Sequence, residues 1–259
     1  RALGDERHRI EAFAEVRATL GRSLDLIACD ACVMGALEVA SPLAPSADYY
    51  LASEENVPGP GFPYDSLLTT LASHPEMSPD LLCRTLVSLY LASYNSGSQG
   101  YAEVTLSASD LAEMPALAAS LSTFADELAA TSGASLHTWW DLSRNLDASV
   151  VDLRLFADAV RESAPTDTLR TAAEDFLSVL DRTIIANGSL GYPVDQHQGL
   201  NLYLPFAVPF DPAYLDLQLS ADTTWDELLQ ALPTTSDFAP DPFEADDAWS
   251  QAWPLTLLQ

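Results

Sequence analysis

Lysine does not occur in the 259 residues, and all eleven basic residues are arginines. Against them stand 38 acidic residues, for a net charge of −27. A chain this poor in positive charge has no footprint for a phosphate backbone, which excludes nucleic acid as a partner class. Such acidity favours solubility and attracts cationic partners or substrates. It equally fits a lineage bias, from a salt-rich habitat or a GC-rich genome that suppresses lysine codons. Cysteine is scarce as well: Cys29, Cys32 and Cys83 are too few for a disulfide scaffold, and their odd number leaves at least one thiol free. No stretch approaches the roughly 18 to 20 uncharged apolar residues of a membrane span. A signal peptide is also missing, and the chain opens on Arg1 rather than Met, so an upstream segment is expected to have been removed.

What is present suffices for a sizeable core, since 48% of the residues are hydrophobic and no internal repeat or long linker interrupts them. Ile10, Phe13, Val16 and Leu20 recur at helical spacing and predict an amphipathic helix over 5–21. "LDLIACD" (24–30) is a continuous apolar run of the kind buried in a parallel sheet. A helix is expected over 33–41, closed by Pro42, then a strand over 48–55 and the turn-rich loop "NVPGPGFP". Ser78-Pro79-Asp80 reads as a helix start, with a cap, a proline and an acid in order, and that helix runs to about Tyr94. A strand over 101–111, a long Ala/Leu helix, helical segments over 150–163 and 166–187, a strand over 199–205 and a helix over 225–232 complete the pattern. Residues 1–235 read as one domain and 236–259 as an acidic, Pro-rich extension. Alternating strands and helices predict an α/β sheet with helices on both faces, whose active residues sit at the carboxyl ends of strands. Cys29, Asp30 and Cys32 fall at such an end.

The pair Cys29 and Cys32 spells C-x-x-C, which has three chemical readings. A zinc half-site needs two further soft or imidazole ligands, and His8, His74, His137 and His197 form no paired ligand motif. A redox dithiol belongs at a helix N-terminus, whereas Cys29 sits inside the apolar run and an acid separates the two thiols. The third reading makes Cys32 a lone nucleophile at a strand-to-helix turn, with its N–H free to face an oxyanion and a histidine required as base. Cys29 and Cys83 then read as ordinary buried cysteines.

"DLIACDACVMGALEVA" resembles the clostripain family of caspase-fold cysteine peptidases, whose hallmark is a strand, Asp-Ala-Cys-Leu-Met and a helix with Glu-Val-Ala. Asp30, Ala31, Cys32, Met34 and Gly35 match, with Val33 in place of leucine. "ADYYLASEENVPGPGFPY", "VTLSASDL", "VDLRLFA" and "GLNLYLP" are similar to later blocks of the family in the same order, so the likeness covers about residues 20–232. The resemblance implies a caspase-like α/β fold with a mostly parallel central sheet, lacking its first strands in this chain, and some helical insertions. It implies a cysteine endopeptidase cutting polypeptides after Arg, less surely Lys. Cys32 is then the nucleophile, and Asp30 lines the primary specificity pocket; the residue pattern alone also allows Asp30 to be a helix N-cap. Family members often carry an acid where Pro60 stands here, which puts basic specificity in question, and Glu54 or Glu55 would compensate by binding substrate. The family's catalytic histidine lies tens of residues before the cysteine in a His-Gly turn, and His8, followed by Arg9, does not match it. The expectation is therefore a separate light chain, cut autocatalytically from a zymogen, that carries the histidine. The alternative is an inactive caspase-fold domain that binds peptides or regulates a partner. No metal site or cofactor is expected; calcium, known in parts of the family, has no D-x-D-x-D-G loop here. Family habit points to a secreted or envelope-associated bacterial protein, with a cytoplasmic one as the alternative.

Overall fold

The computed structural model describes residues 2–143, 149–206 and 208–232, with side chains described from residue 7 onward. The expected 236–259 extension lies outside the described residues. In chain order the helices are α1 (Ala2–Leu20), α2 (Leu37–Ala40), α3 (Tyr64–Ser73), α4 (Pro79–Tyr94), α5 (Met114–Ala129), α6 (Gly133–Ser143), α7 (Leu153–Ser163), α8 (Asp167–Thr183), α9 (Gln218–Asp222) and α10 (Trp225–Ala231). The strands are β1 (Leu24–Ala28), β2 (Ala47–Ala52), β3 (Asn95–Gly97), β4 (Gly100–Tyr101), β5 (Val104–Asp110), β6 (Val150–Asp152), β7 (Ile184–Leu190) and β8 (Asn201–Tyr203).

Four strands form the central sheet in the order β1-β2-β5-β7. The α/β class and the helices on both faces are as expected, but the mostly parallel sheet is corrected. Of the three strand pairings only β1–β2 is parallel: β1, β2 and β7 point the same way, and β5 runs antiparallel to both β2 and β7. The expected strand near residue 200 also stands outside this sheet, since β8 pairs with β6 in a separate antiparallel ribbon. That ribbon is tied to the cysteine segment by a parallel bridge between Ala36 and Asn201 and by the Asn201 N–H donating to the Gly35 carbonyl at 2.9 Å.

Strand periodicity decides which residue meets which helix. On β2, Tyr50 and Ala52 enter one core with Leu117, Phe124, Phe156 and Phe176, while Leu51 enters the opposite one with Cys83, Leu86, Val87, Tyr90 and Tyr94 of α4. On β5, Val104, Leu106 and Ala108 face α4, and Thr105, Ser107 and Ser109 are buried between them. Each large side chain sealed this way contributes about 1.5–3 kcal/mol relative to exposure, and α4 supplies most of those on its face of the sheet, with Phe62 beside them. Ser78 caps α4 as expected, accepting from the Leu81 N–H at 3.4 Å.

Three local expectations fail. Helix α8 ends at Thr183, and "IIANGSL" forms β7 instead of a further turn of helix. Gly188 sits in this strand where the Leu91 side chain of α4 presses on the place a Cβ would take. The apolar stripe of α1 is not buried as a stripe: Phe13 packs against the core while Val16 and Leu20 remain 41% and 52% exposed. Finally, the helix expected over 33–41 shrinks to the four residues of α2, with Ala36 as its cap residue.

Candidate active site

Beyond the end of β1 the chain keeps its neighbour. Cys29 N–H donates to Leu51 O at 2.8 Å, Val33 N–H to Glu55 O at 3.0 Å and Gly35 N–H to Ser53 O at 2.7 Å. The residue after Cys32 pays for this path with a left-handed backbone, Val33 having φ +51°. Gly35 passes so close to the Ser53–Glu54 peptide that a Cβ would strike it. Cys32 is thus lifted on a tight turn, five residues ahead of the first helical residue at 37. The helix expected over 33–41 does not begin directly behind Cys32, so the thiol stands on a turn and not at a helix N-terminus.

The Cys32 sulfur is half-buried and lies against residue 57: the Val57 N–H donates to Sγ at 3.4 Å, and the thiol reaches the Val57 carbonyl at 3.7 Å. Cys29 behaves differently. Its sulfur packs against the core, with the Tyr50 hydroxyl 3.5 Å away, and burial raises its thiol above the ordinary value. Cys83 is sealed under the sheet, where burial pushes its thiol up to about 12. All three cysteines are free thiols, and no group of three metal-ligating side chains occurs among the described residues.

Asp30 is exposed two residues before Cys32. Its Oδ2 accepts from the Phe62 N–H at 3.1 Å and from the Tyr64 hydroxyl at 2.8 Å. It does not cap a helix, because the first helix after it begins at Leu37 with no side-chain cap. The loop that reaches it is held from below. The Tyr94 hydroxyl donates to Gly61 O at 2.9 Å, Gln99 Nε2 to the same oxygen at 3.1 Å, and Gly61 N–H closes a turn onto Pro58 O at 2.8 Å. Gly61 has φ +69°, and a Cβ there would run into the Asp30 carboxylate. Under the loop Phe62, Tyr90 and Tyr94 pack edge-to-face at 5.6 and 5.1 Å.

Glu54 and Glu55, expected to bind substrate, lie inside the fold rather than on the surface around Cys32. They are only 1% and 7% exposed, and both carboxylates turn into the protein. Glu54 Oε1 accepts the Gly199 N–H, and Glu55 Oε1 meets His197 Nε2 at 2.8 Å. Beside them Asp152, fully buried, caps α7 by accepting the Leu155 N–H at 2.8 Å and takes the Gln198 N–H on its other oxygen at 2.6 Å. Burial raises the Asp152 carboxyl above the usual range, and a hydrogen bond with the Glu54 side chain links the two acids. Asn201 closes the group, donating to the Glu54 carbonyl at 3.2 Å. Sequence reasoning did not single out Asp152 or Asn201, which fall in segments read as helical (150–163) and as a strand (199–205), and it set His197 aside for want of a paired ligand motif.

The remaining histidines stand apart from this site. His74 ends α3, with its Nδ1 3.3 Å from Thr70 O, and His137 packs at a tilt against Trp140 and edge-on against Phe206. His8 lies exposed on α1. Among the described residues the Cys32 sulfur bonds only to the Val57 backbone.

Solved structures share this fold. A clostripain from Bacteroides thetaiotaomicron in complex with a peptide inhibitor superposes with a TM-score of 0.62 at 18% identity, over 83% of this chain and 93% of that one. A secreted C11 cysteine protease from the same organism, bound to an irreversible peptide inhibitor, gives 0.61 at 20% identity over 83% and 63%. An inactive zymogen C11 protease from Parabacteroides distasonis gives 0.56 at 21% identity over 81% and 61%. No curated protein matches the chain by sequence. The sequence model of the clostripain family, however, matches residues 5–202, most of the chain. With a free thiol lifted at the end of β1 on a fold shared with C11 proteases, the chain belongs to the clostripain family of cysteine peptidases.

Proposed function

We propose that this chain is the cysteine-bearing part of an endopeptidase that cuts polypeptides after a basic residue, with Cys32 as nucleophile and Asp30 as the acceptor of the basic side chain. The observation that carries it is the placement of an exposed carboxylate two residues from a half-buried thiol, held by a loop built around Gly61. Charge fits too, since a surface with net charge −27 draws cationic peptides.

The Cys32 sulfur attacks the scissile carbonyl carbon, forming a C–S bond as the carbonyl electron pair moves to oxygen. The Cys32 N–H stabilises that oxygen. A histidine takes the thiol proton and delivers it to the leaving amine as the C–N bond breaks, leaving an acyl-enzyme. Water then adds to the acyl carbon, giving up a proton to the same histidine, and the C–S bond breaks to restore the thiol. The chemistry so written uses protein groups and water alone.

The histidine is assigned to a segment other than residues 1–259, in a light chain or preceding part of a precursor cleaved autocatalytically. Two facts support this. His197, the buried histidine, already spends its Nε2 on Glu55. Strand β1 ends the sheet, with no strand of the described residues on its outer edge, and Asp25 and Ala28 stay exposed along it. An open edge beside the nucleophile suits the strand that would bring a histidine. A secreted or envelope location is assigned on the likeness to a secreted C11 protease; no helix among the described residues is long and apolar enough to cross a membrane.

The test is substrate profiling of the assembled enzyme before and after Asp30→Asn. A collapse of cleavage after Arg and Lys, with neutral residues unaffected, is expected. An unchanged preference refutes the assignment of Asp30.

A further inference from the structure

The two oxygens of Asp30 are used unequally. Oδ2 accepts both the Phe62 N–H and the Tyr64 hydroxyl, at 3.1 and 2.8 Å, whereas Oδ1 takes no protein donor among the described residues. A carboxylate oxygen offers about two lone-pair sites, so Oδ2 is filled. The two donors differ in kind. Phe62 N–H belongs to a buried backbone pinned by Tyr94 and Gln99 through Gly61, and it cannot turn away. Tyr64 is 50% exposed in the first turn of α3, and its hydroxyl swings on two side-chain torsions.

The basic side chains make different demands on such an acid. A guanidinium grips a carboxylate as a fork, one N–H on each oxygen, while an ammonium is a point charge that needs only one. A filled Oδ2 suits the ammonium and denies the fork. Nor does the loop supply a second acid, because Pro60 stands between Gly59 and Gly61. The aromatic floor adds one unspent group: the Tyr90 hydroxyl is buried without a hydrogen-bond partner. It lies within electrostatic reach of both Asp30 and Cys32.

We propose that Tyr64 is a specificity-determining residue of this pocket: by filling Asp30 Oδ2 it leaves one oxygen for the incoming cation, so that lysine is accepted as readily as arginine. This rests on the assignment of Asp30 to the primary pocket. An arginine that reaches Oδ1 end-on forfeits one of its two charge-assisted bonds. Displacing the Tyr64 hydroxyl to regain it sacrifices another.

The assembled peptidase, with its histidine segment, tests this on paired peptides that differ only in Arg or Lys before the scissile bond. The wild type is expected to give comparable kcat/KM on the two. Tyr64→Phe keeps the ring and frees one site on Oδ2, raising the Arg/Lys ratio roughly tenfold, the worth of one charge-assisted hydrogen bond. The gain falls on the arginine substrate, and matched Arg- and Lys-directed covalent inhibitors show the same shift in their rates of labelling Cys32. A ratio unchanged by Tyr64→Phe, or an equal change on both substrates, overturns the proposal. Asp30→Asn separates the two levels: if basic preference survives it, the pocket assignment fails and the role of Tyr64 with it; if the preference collapses, the Tyr64 result stands alone.

Discussion

His197 Nε2 lies 2.8 Å from the Glu55 carboxylate, across 142 residues of sequence, and both side chains are buried. Glu55 also accepts the Val33 N–H on its carbonyl, so a single residue joins the turn that presents Cys32 to the segment leading into β8. The nucleophile's left-handed neighbour is therefore braced by a polar core rather than by a helix.

His197→Phe puts a planar apolar ring in place of the imidazole and removes the bond to Glu55. A loss of about 1–3 kcal/mol is expected for a buried polar group deprived of a partner. Thermal unfolding would report it as a fall in Tm of several degrees. Labelling of Cys32 by iodoacetamide should slow in the same variant at temperatures where it is still folded.

The three thiols should separate by reactivity. At pH 8 a thiol-specific alkylating reagent is expected to modify Cys32 first, with mass spectrometry placing the label on the peptide around Ala31-Cys32-Val33. Burial holds the Cys29 thiol above its ordinary value and Cys83 at about 12, so little thiolate forms on either. Cys29→Ser should leave peptidase activity largely intact, and Cys32→Ser should abolish it.

Asp152 makes stability depend on pH with an unusual sign. Burial raises its folded value above 3.8, so the folded chain holds this proton more tightly than the unfolded one. Its contribution is greatest below the ordinary carboxyl range and declines as pH rises through the folded value. Urea unfolding across mildly acid pH should show that decline and lose it in Asp152→Asn. The same variant should be weaker throughout by about 1–3 kcal/mol, because its amide sets a donor against the Leu155 or Gln198 N–H.

Gly61→Ala should damage the pocket more than the fold. A left-handed backbone costs a non-glycine residue about 1–2 kcal/mol, and the new methyl would displace the Asp30 carboxylate. Cleavage after basic residues is expected to drop sharply, while circular dichroism stays native. Equal kcat/KM in the variant and wild type would contradict the role given to the loop.

Much of this was legible beforehand. The strand in the run 24–30, though only Ile27 of β1 is buried, the Ser-Pro-Asp start of α4 and the cysteine block each signal themselves within a few residues, where propensity, capping and spacing act locally. Strand β7 was hidden because the helical pattern over 166–187 runs into it; its Gly188 answers to Leu91, a side chain nearly a hundred positions earlier. The short α2 was hidden because Val33 and Gly35 follow the hydrogen bonds of 53–55 instead of the helical pattern of their own segment. Glu54 and Glu55 follow a strand in the sequence, where nothing nearby tells that Gly199, His197 and Asp152 close around them.

The sequence by itself determined the class of fold, the family and a lone thiol at the end of a strand, because those follow from local periodicity and a contiguous block of residues. Only the tertiary structure decided that β5 runs against its neighbours, that Asp30 serves the 58–64 loop rather than a helix cap, and that the two glutamates face inward. Those outcomes depend on which distant donors arrive beside each acceptor. A buried carboxylate must find its partners wherever the packed chain brings them.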